Sequence, residues 1–269
     1  MLYSLQRECY NLQNLERVEQ FECIKSEADQ ILFFIYSQIR KECICDTVII
    51  DAEDTDVIVL SARVVHEIDG DLGMKWKKTF FDCKELCSSA FSKVVLQLYY
   101  HTGADAVSAF FGHGKRSVIR NALKFPDIAK SLEDVGAILP ISKSIIDKLR
   151  LCTIKLIYND SKSLTLAEAR ASKWKSMEKK SFKHLPPDED THRLHCQLVN
   201  YIMNLNLNYR MKDAIPSPNI HGWSSSNGYC YPVRYARPSL PEDIFNVVKR
   251  SLSNVKIVLP FVFPSLKLA

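Results

Sequence analysis

Thr47, Val48, Ile49 and Ile50 are all β-branched, and the run ends at the acidic segment Asp51-Ala-Glu-Asp-Thr-Asp56. Branching at Cβ suits an extended backbone, so a short strand is predicted there. With no polar alternation it is expected to be buried on both faces, as in a parallel sheet flanked by helices. A helix from Ser26 to about Arg40 would supply one flank. Ser26 can cap it, Glu27 and Asp29 lie in its first turn, and Ile31, Leu32, Phe34 and Ile35 follow. After the acids, the spacing of Val57, Leu60, Val64 and Val65 favours a second helix.

The rest of the chain reads as follows. Residues 3–20 suit an amphipathic helix. Asp69, Gly70, Asp71 and Gly73 predict a turn over 66–76, before an edge strand from Lys78 to Asp82. Residues 84–100 read as helix, and His101-Thr-Gly-Ala-Asp105 breaks it. A helix over 115–124 follows and is closed by Pro126, with further helices over 131–137, 141–158 and 164–180 and one starting near Thr191. After Asp213 the Pro-rich chain reads as extended. The expected division is 1–130, a partial α/β domain; 131–213, a helical region; and 214–269, an extended segment.

Composition narrows the class. Hydrophobic residues make up 46% of the 269, which is a folding composition rather than a disordered one. Lys and Arg (36) exceed Asp and Glu (31) by only five, too few for a polybasic tether, so any basic surface must be local. No apolar stretch reaches the roughly 18 residues of a membrane span, and Met1–Gln20 lacks a signal-peptide core. Nine cysteines without a repeated CxxC pair suit reduced thiols. An intracellular protein, nuclear or cytoplasmic and without membrane contact, is the expectation.

Three groups of carboxylates stand out: Glu27 with Asp29, Asp54 with Asp56, and Asp105 beside Gly103. Singly, each has an ordinary explanation at a helix start or turn. Brought together at the carboxyl end of a strand they would repel one another unless cations neutralised them. Oxygen ligands of this kind suit Mg²⁺ or Mn²⁺ rather than zinc.

The series Ser26-Glu-Ala-Asp29, Ile49-Ile-Asp-Ala-Glu-Asp-Thr-Asp-Val-Ile-Val-Leu60 and Thr102-Gly-Ala-Asp105 resembles the second half of the PIN-like and flap-endonuclease (XPG-type) nuclease fold. Together with Leu185-Pro-Pro187 and Pro216-Ser-Pro-Asn-Ile-His-Gly-Trp223, it is more closely similar to transposon-associated animal proteins of that superfamily. The resemblance implies a partial PIN-like, Rossmann-like parallel sheet. It also implies a site in which Glu27, Asp29, Asp54, Asp56 and Asp105 hold Mg²⁺ or Mn²⁺ and catalyse phosphodiester hydrolysis of DNA or RNA. No strand ending in Asp is read before Glu27, where the family has one, so the chain as given is expected to be inactive. The alternative is a catalytically dead, transposon-derived scaffold that binds nucleic acid or protein.

Gly112-His-Gly-Lys115 is not a Walker loop, because Ala109 and Arg116 stand where Gly and Ser or Thr are required. A Gly-x-Gly turn at a helix start can instead offer backbone N–H groups to phosphate. Gly112, Gly114, Lys115, Arg116 and Arg120 are therefore the expected nucleic-acid contacts. His184, His192, His195 and Cys196 have no usual zinc spacing. Lys173, Lys175, Lys179, Lys180 and Lys183 around Trp174 read as a solvated helix face.

Overall fold

The computed structural model describes residues 27–42, 46–85, 93–179, 181–211, 215–226 and 229–233. All of them belong to one unit of the chain, Met1–Arg234. The expectations for residues 3–20 and for the C-terminal apolar segment lie outside the described residues.

The first helix, α1 (Ala28–Lys41), carries Asp29 in its first turn and Arg40 and Lys41 in its last, the charge order that the helix dipole favours. Its N-cap residue is Glu27, whose side chain makes no capping bond. The expected strand is β1 (Thr47–Asp51), and helix α2 (Thr55–Val64) follows it. Arg40 donates to the carbonyls of Asp69 (2.8 Å) and Asp46 (3.0 Å), tying together the loops that precede the next strand and β1.

Two expectations about the sheet need correction. The stretch read as a turn holds strand β2 (Asp71–Trp76), which pairs parallel to β1 and antiparallel to β3 (Thr79–Asp82). The order is β1-β2-β3, so the sheet is mixed and the protein is α/β. Turn-forming residues hid the strand, yet Leu72 and Met74 alternate into the core and are fully buried. Nor is β1 buried on both faces. Ile50 is buried, but Ile49 is 58% and Phe80 63% exposed on the opposite face, above a groove of about 430 Å³.

Beyond the sheet come α3 (Val95–His101), α4 (Lys115–Lys124), α5 (Pro126–Lys130) and α6 (Lys143–Cys152). A π-helical turn, Thr153–Ile157, continues α6, and α7 (Leu166–Ser176) and α8 (Glu189–Leu207) follow. Of the helix read over 84–100, residues 86–92 lie outside the described residues. Helix α4 ends just before Pro126, as expected, and Pro126 opens α5, since its fixed φ suits a first helical position. A short hairpin, β4 (Trp223–Ser226) with β5 (Tyr229–Pro232), occupies part of the segment read as extended.

Residues 131–137 form turns instead of the expected helix. Gly136 adopts φ +89°, and its N–H and C=O are taken by Asn200 and Asn204 of α8, both at 2.8 Å. A Cβ on Gly136 would stand 2.6 Å from the Met203 Cβ, a contact that forces the turn off α8. Gly136→Ala is therefore expected to destabilise the fold by about 2–4 kcal/mol, through strain and orphaned amides together. Urea unfolding of the variant checks this, and an unchanged midpoint would exclude the clamp.

One core runs through the sheet and the helical region, from Phe33, Leu72 and Met74 to Leu149, Val199 and Tyr209. Where α3, α6 and α8 meet, this core is polar. Thr153 Oγ1 lies 2.9 Å from both His101 Nε2 and His192 Nε2 and donates to the Leu149 carbonyl at 3.0 Å. Its single proton is thus committed, so both imidazoles must donate to it. His195 Nε2 donates to the His101 carbonyl (3.0 Å), leaving Nδ1 to accept from Ser108 (3.0 Å). The His195 ring is thereby neutral. Burial, the largest cause in each, holds His192 down to about 3 and His195 to about 4, and it holds His101 well below the usual imidazole range.

Candidate functional site

Chain reversal between α1 and β1 returns the N-terminus of α1 to the carboxyl end of β1, where α2 also begins. Asp54 caps α2, its carboxylate accepting from the Asp56 N–H at 3.1 Å. Asp54 therefore has a structural role as a helix cap, where an ordinary loop acid was the alternative. Asp56 follows in the first turn. The third group arrives from α3, whose end turns at Thr102 and Gly103 (φ +112°) into a short bridge between Ala104 and Val107 that carries Asp105. Gly103 admits no side chain, because a Cβ would lie 2.6 Å from Ala109 Cα.

The five acids share one electrostatic neighbourhood. Burial and then the charges of Asp54, Asp56, Glu27 and Asp105 push the Asp29 carboxyl up to about 6. Asp56 is also raised, by burial first, with Asp54 and Asp105 adding to it and Tyr99 and Lys115 opposing. As they lie, though, the acids do not close on a point. Among the described residues no group of three or more His, Cys, Asp or Glu side chains stands close enough to hold one metal ion.

Two residues support the cluster that the spacing of acids did not reveal. Tyr99, on the last turn of α3, donates its hydroxyl to Asp56 Oδ1 and receives the Thr55 hydroxyl at 3.1 Å. Burial and the Asp56 bond push that phenol up to about 12, so it is a dependable donor. Lys115, the first residue of α4, sends its ammonium to the Gly103 carbonyl (2.5 Å) and over the Tyr99 ring, 4.0 Å from its centroid. It is thus turned inward toward Asp56 and the Asp105 turn. The signal available in the sequence was the Tyr99-Tyr100 pair placed just before His-Thr-Gly.

Of the other expected contacts, Gly112 and Gly114 form the turn into α4, with Gly112 at φ +78° and Gly114 as the N-cap. Arg116 and Arg120 are exposed on α4. His192 and His195 belong to the buried network with Thr153, and Cys196 lies 3.4 Å from His192 Nδ1, whereas His184 packs elsewhere against Phe111. No helix among the described residues is long and apolar enough to cross a membrane. No family model matches the chain, and neither a curated protein nor a solved structure is similar to it.

Proposed function

We propose that Glu27, Asp29, Asp54, Asp56 and Asp105 form the metal-binding end of a PIN-like, flap-endonuclease-type site for phosphodiester hydrolysis of DNA or RNA. The observation that carries this reading is that five acids from separate parts of the chain come near enough for Asp29 to feel the other four. Burial first, and then carboxylates from two helix starts and a distant turn, raise the affinity of Asp29 for a proton, and a cation would relieve the repulsion. The order of the motifs along the chain supports it independently.

The donor set, all carboxylate oxygen, fits Mg²⁺ or Mn²⁺. Asp54, Asp56 and Asp105 would hold the ion, with Glu27 and Asp29 on its α1 side, once the side chains draw inward from their present positions. Bound there, the ion would supply an activated water and charge stabilisation for the leaving oxygen. The protein's own groups prepare that chemistry. Tyr99 fixes the Asp56 carboxylate, while Lys115 tethers the Gly103 turn that carries Asp105.

Lys115 also favours a second reading, a silent scaffold in which a built-in ammonium takes the place of a metal. Mn²⁺ titration separates the two. On the nuclease reading, Mn²⁺ at a hundred times its dissociation constant raises unfolding stability by about 2.7 kcal/mol, and Asp54→Asn removes the effect. A melting curve unmoved by Mn²⁺ in the parent chain leaves the scaffold reading in place.

A further inference from the structure

Two stretches that look unrelated in sequence, the loop Phe110–Gly114 and the basic segment from Lys173 to His184, meet on one surface. The meeting point is the 3-10 turn Phe182–His184. His184 packs edge-on against Phe111 with centroids 4.9 Å apart, and the Lys183 ammonium stands 4.6 Å from the same Phe111 ring. Phe182, one residue earlier, stacks on Trp174 at 5.0 Å and 21°. A Cβ on Gly112 would lie only 3.6 Å from His184 Nδ1, so the loop and the turn are in contact.

What this surface displays is unusual for a solvated helix face. Phe182 is 77% and Phe111 51% exposed, although stacked or edge-packed partners hold both rings in place. Cations flank them. Lys173 is near enough to His113 for its charge to add to the effect of burial in lowering that imidazole. Lys175, Lys179 and Lys183 are exposed along the same segment, with Glu178 the acid among them.

We infer that this strip is a binding platform for single-stranded nucleic acid, with bases stacking on Phe182 and Phe111 and phosphates lying against Lys173, Lys179 and Lys183. Charge complementarity selects a polyanion, and the open rings select among polyanions. A duplex keeps its bases stacked on one another and could use only the lysines. An acidic polypeptide likewise has no rings to offer. The platform adjoins the loop that leads into Lys115 four residues later, so a strand lying on it is directed toward the carboxylates. That consequence, though not the binding itself, rests on the nuclease reading.

The test uses the full chain in EDTA with labelled oligothymidylate and oligouridylate of about 15 nucleotides, long enough to cover such a site, against a hairpin duplex and polyglutamate. Both single strands should bind more tightly than the duplex or polyglutamate. Phe182→Ala and Phe111→Ala should each weaken binding at least about fivefold with little change in salt dependence. Phe182→Trp should restore it. Lys183→Ala should lower the salt slope by about 0.7. Phe182 is exposed, so its replacement should leave the melting temperature unmoved. Equal binding by the duplex or polyglutamate, or parent-like binding by both Phe variants, overturns the platform. Asp56→Asn should bind oligonucleotide as well as the parent or better. A parent chain that binds oligonucleotide but no Mn²⁺ would count against the nuclease site alone, and one that binds Mn²⁺ but no oligonucleotide against the platform alone.

Discussion

At about pH 5 the protein is expected to lose most of its stability, because His101, His192 and His195 are held neutral inside it. Their folded pKa values lie below the unfolded value of about 6.5. The stability they contribute is therefore complete above that value and is lost as pH falls toward about 4. A buried histidine of this kind costs about 2 kcal/mol at pH 5, and three together cost several, against a total of about 5–15 for a typical domain. Asp29 works in the opposite direction. Its carboxyl is raised to about 6, so it favours the folded state as pH falls from there toward its unfolded value. It is one partly solvated group, worth on the order of 1–2 kcal/mol after screening, and the histidines prevail. Urea unfolding from neutral pH downward checks the balance. His195→Gln keeps a donor for the His101 carbonyl without a titrating ring, so its loss of stability should be shallower. A parent midpoint that stays level to pH 5 would falsify the neutral network.

Asp56→Asn should produce two opposite effects. Without metal it removes a charge that raises its neighbours' proton affinity, so the apo protein should melt higher than the parent above pH 6. In the presence of Mn²⁺, any nucleic-acid cleavage by the chain should fall by a factor on the order of a thousand, since a lost ligand weakens several kcal/mol of charge stabilisation. Tyr99→Phe keeps the carboxylate but frees its orientation. Its loss should be smaller, on the order of tenfold, as for other groups that hold a ligand in place. A single-turnover assay with both variants distinguishes the roles. Equal losses for the two would place Tyr99 at the reacting centre, and no loss for Asp56→Asn would remove it from the metal site.

How far the sequence spoke depended on the range of the interactions involved. The strand at Thr47–Asp51 and helix α1 with Asp29 in its first turn were legible because β-branching and the preference of acids for a helix start act within a few residues, although the cap falls at Glu27 and not at Ser26. The acids stood out because repulsive charges in series are conspicuous. Strand β2 was hidden because Gly73 and the surrounding acids signal a turn, while only Leu72 and Met74 report the buried face. Tyr99 and the inward course of Lys115 depend on α3, α4 and the start of α2 meeting in space. No local pattern encodes that meeting. The same holds for His101, which read as the edge of a break but bonds to Thr153, and for the basic segment, whose neighbour Phe111 lies far away in the chain.

The π-helical turn Thr153–Ile157 bears on how this protein can change over generations. Such a turn amounts to one extra residue in a helix, and each residue advances a helix by about 100°. Deleting one of the five would let α6 continue as regular helix and would leave Tyr158, with its contacts to Phe110 and His113, in register. Loss of one residue here is thus the change of length that this helical region should tolerate best, with regular helix replacing the wider turn.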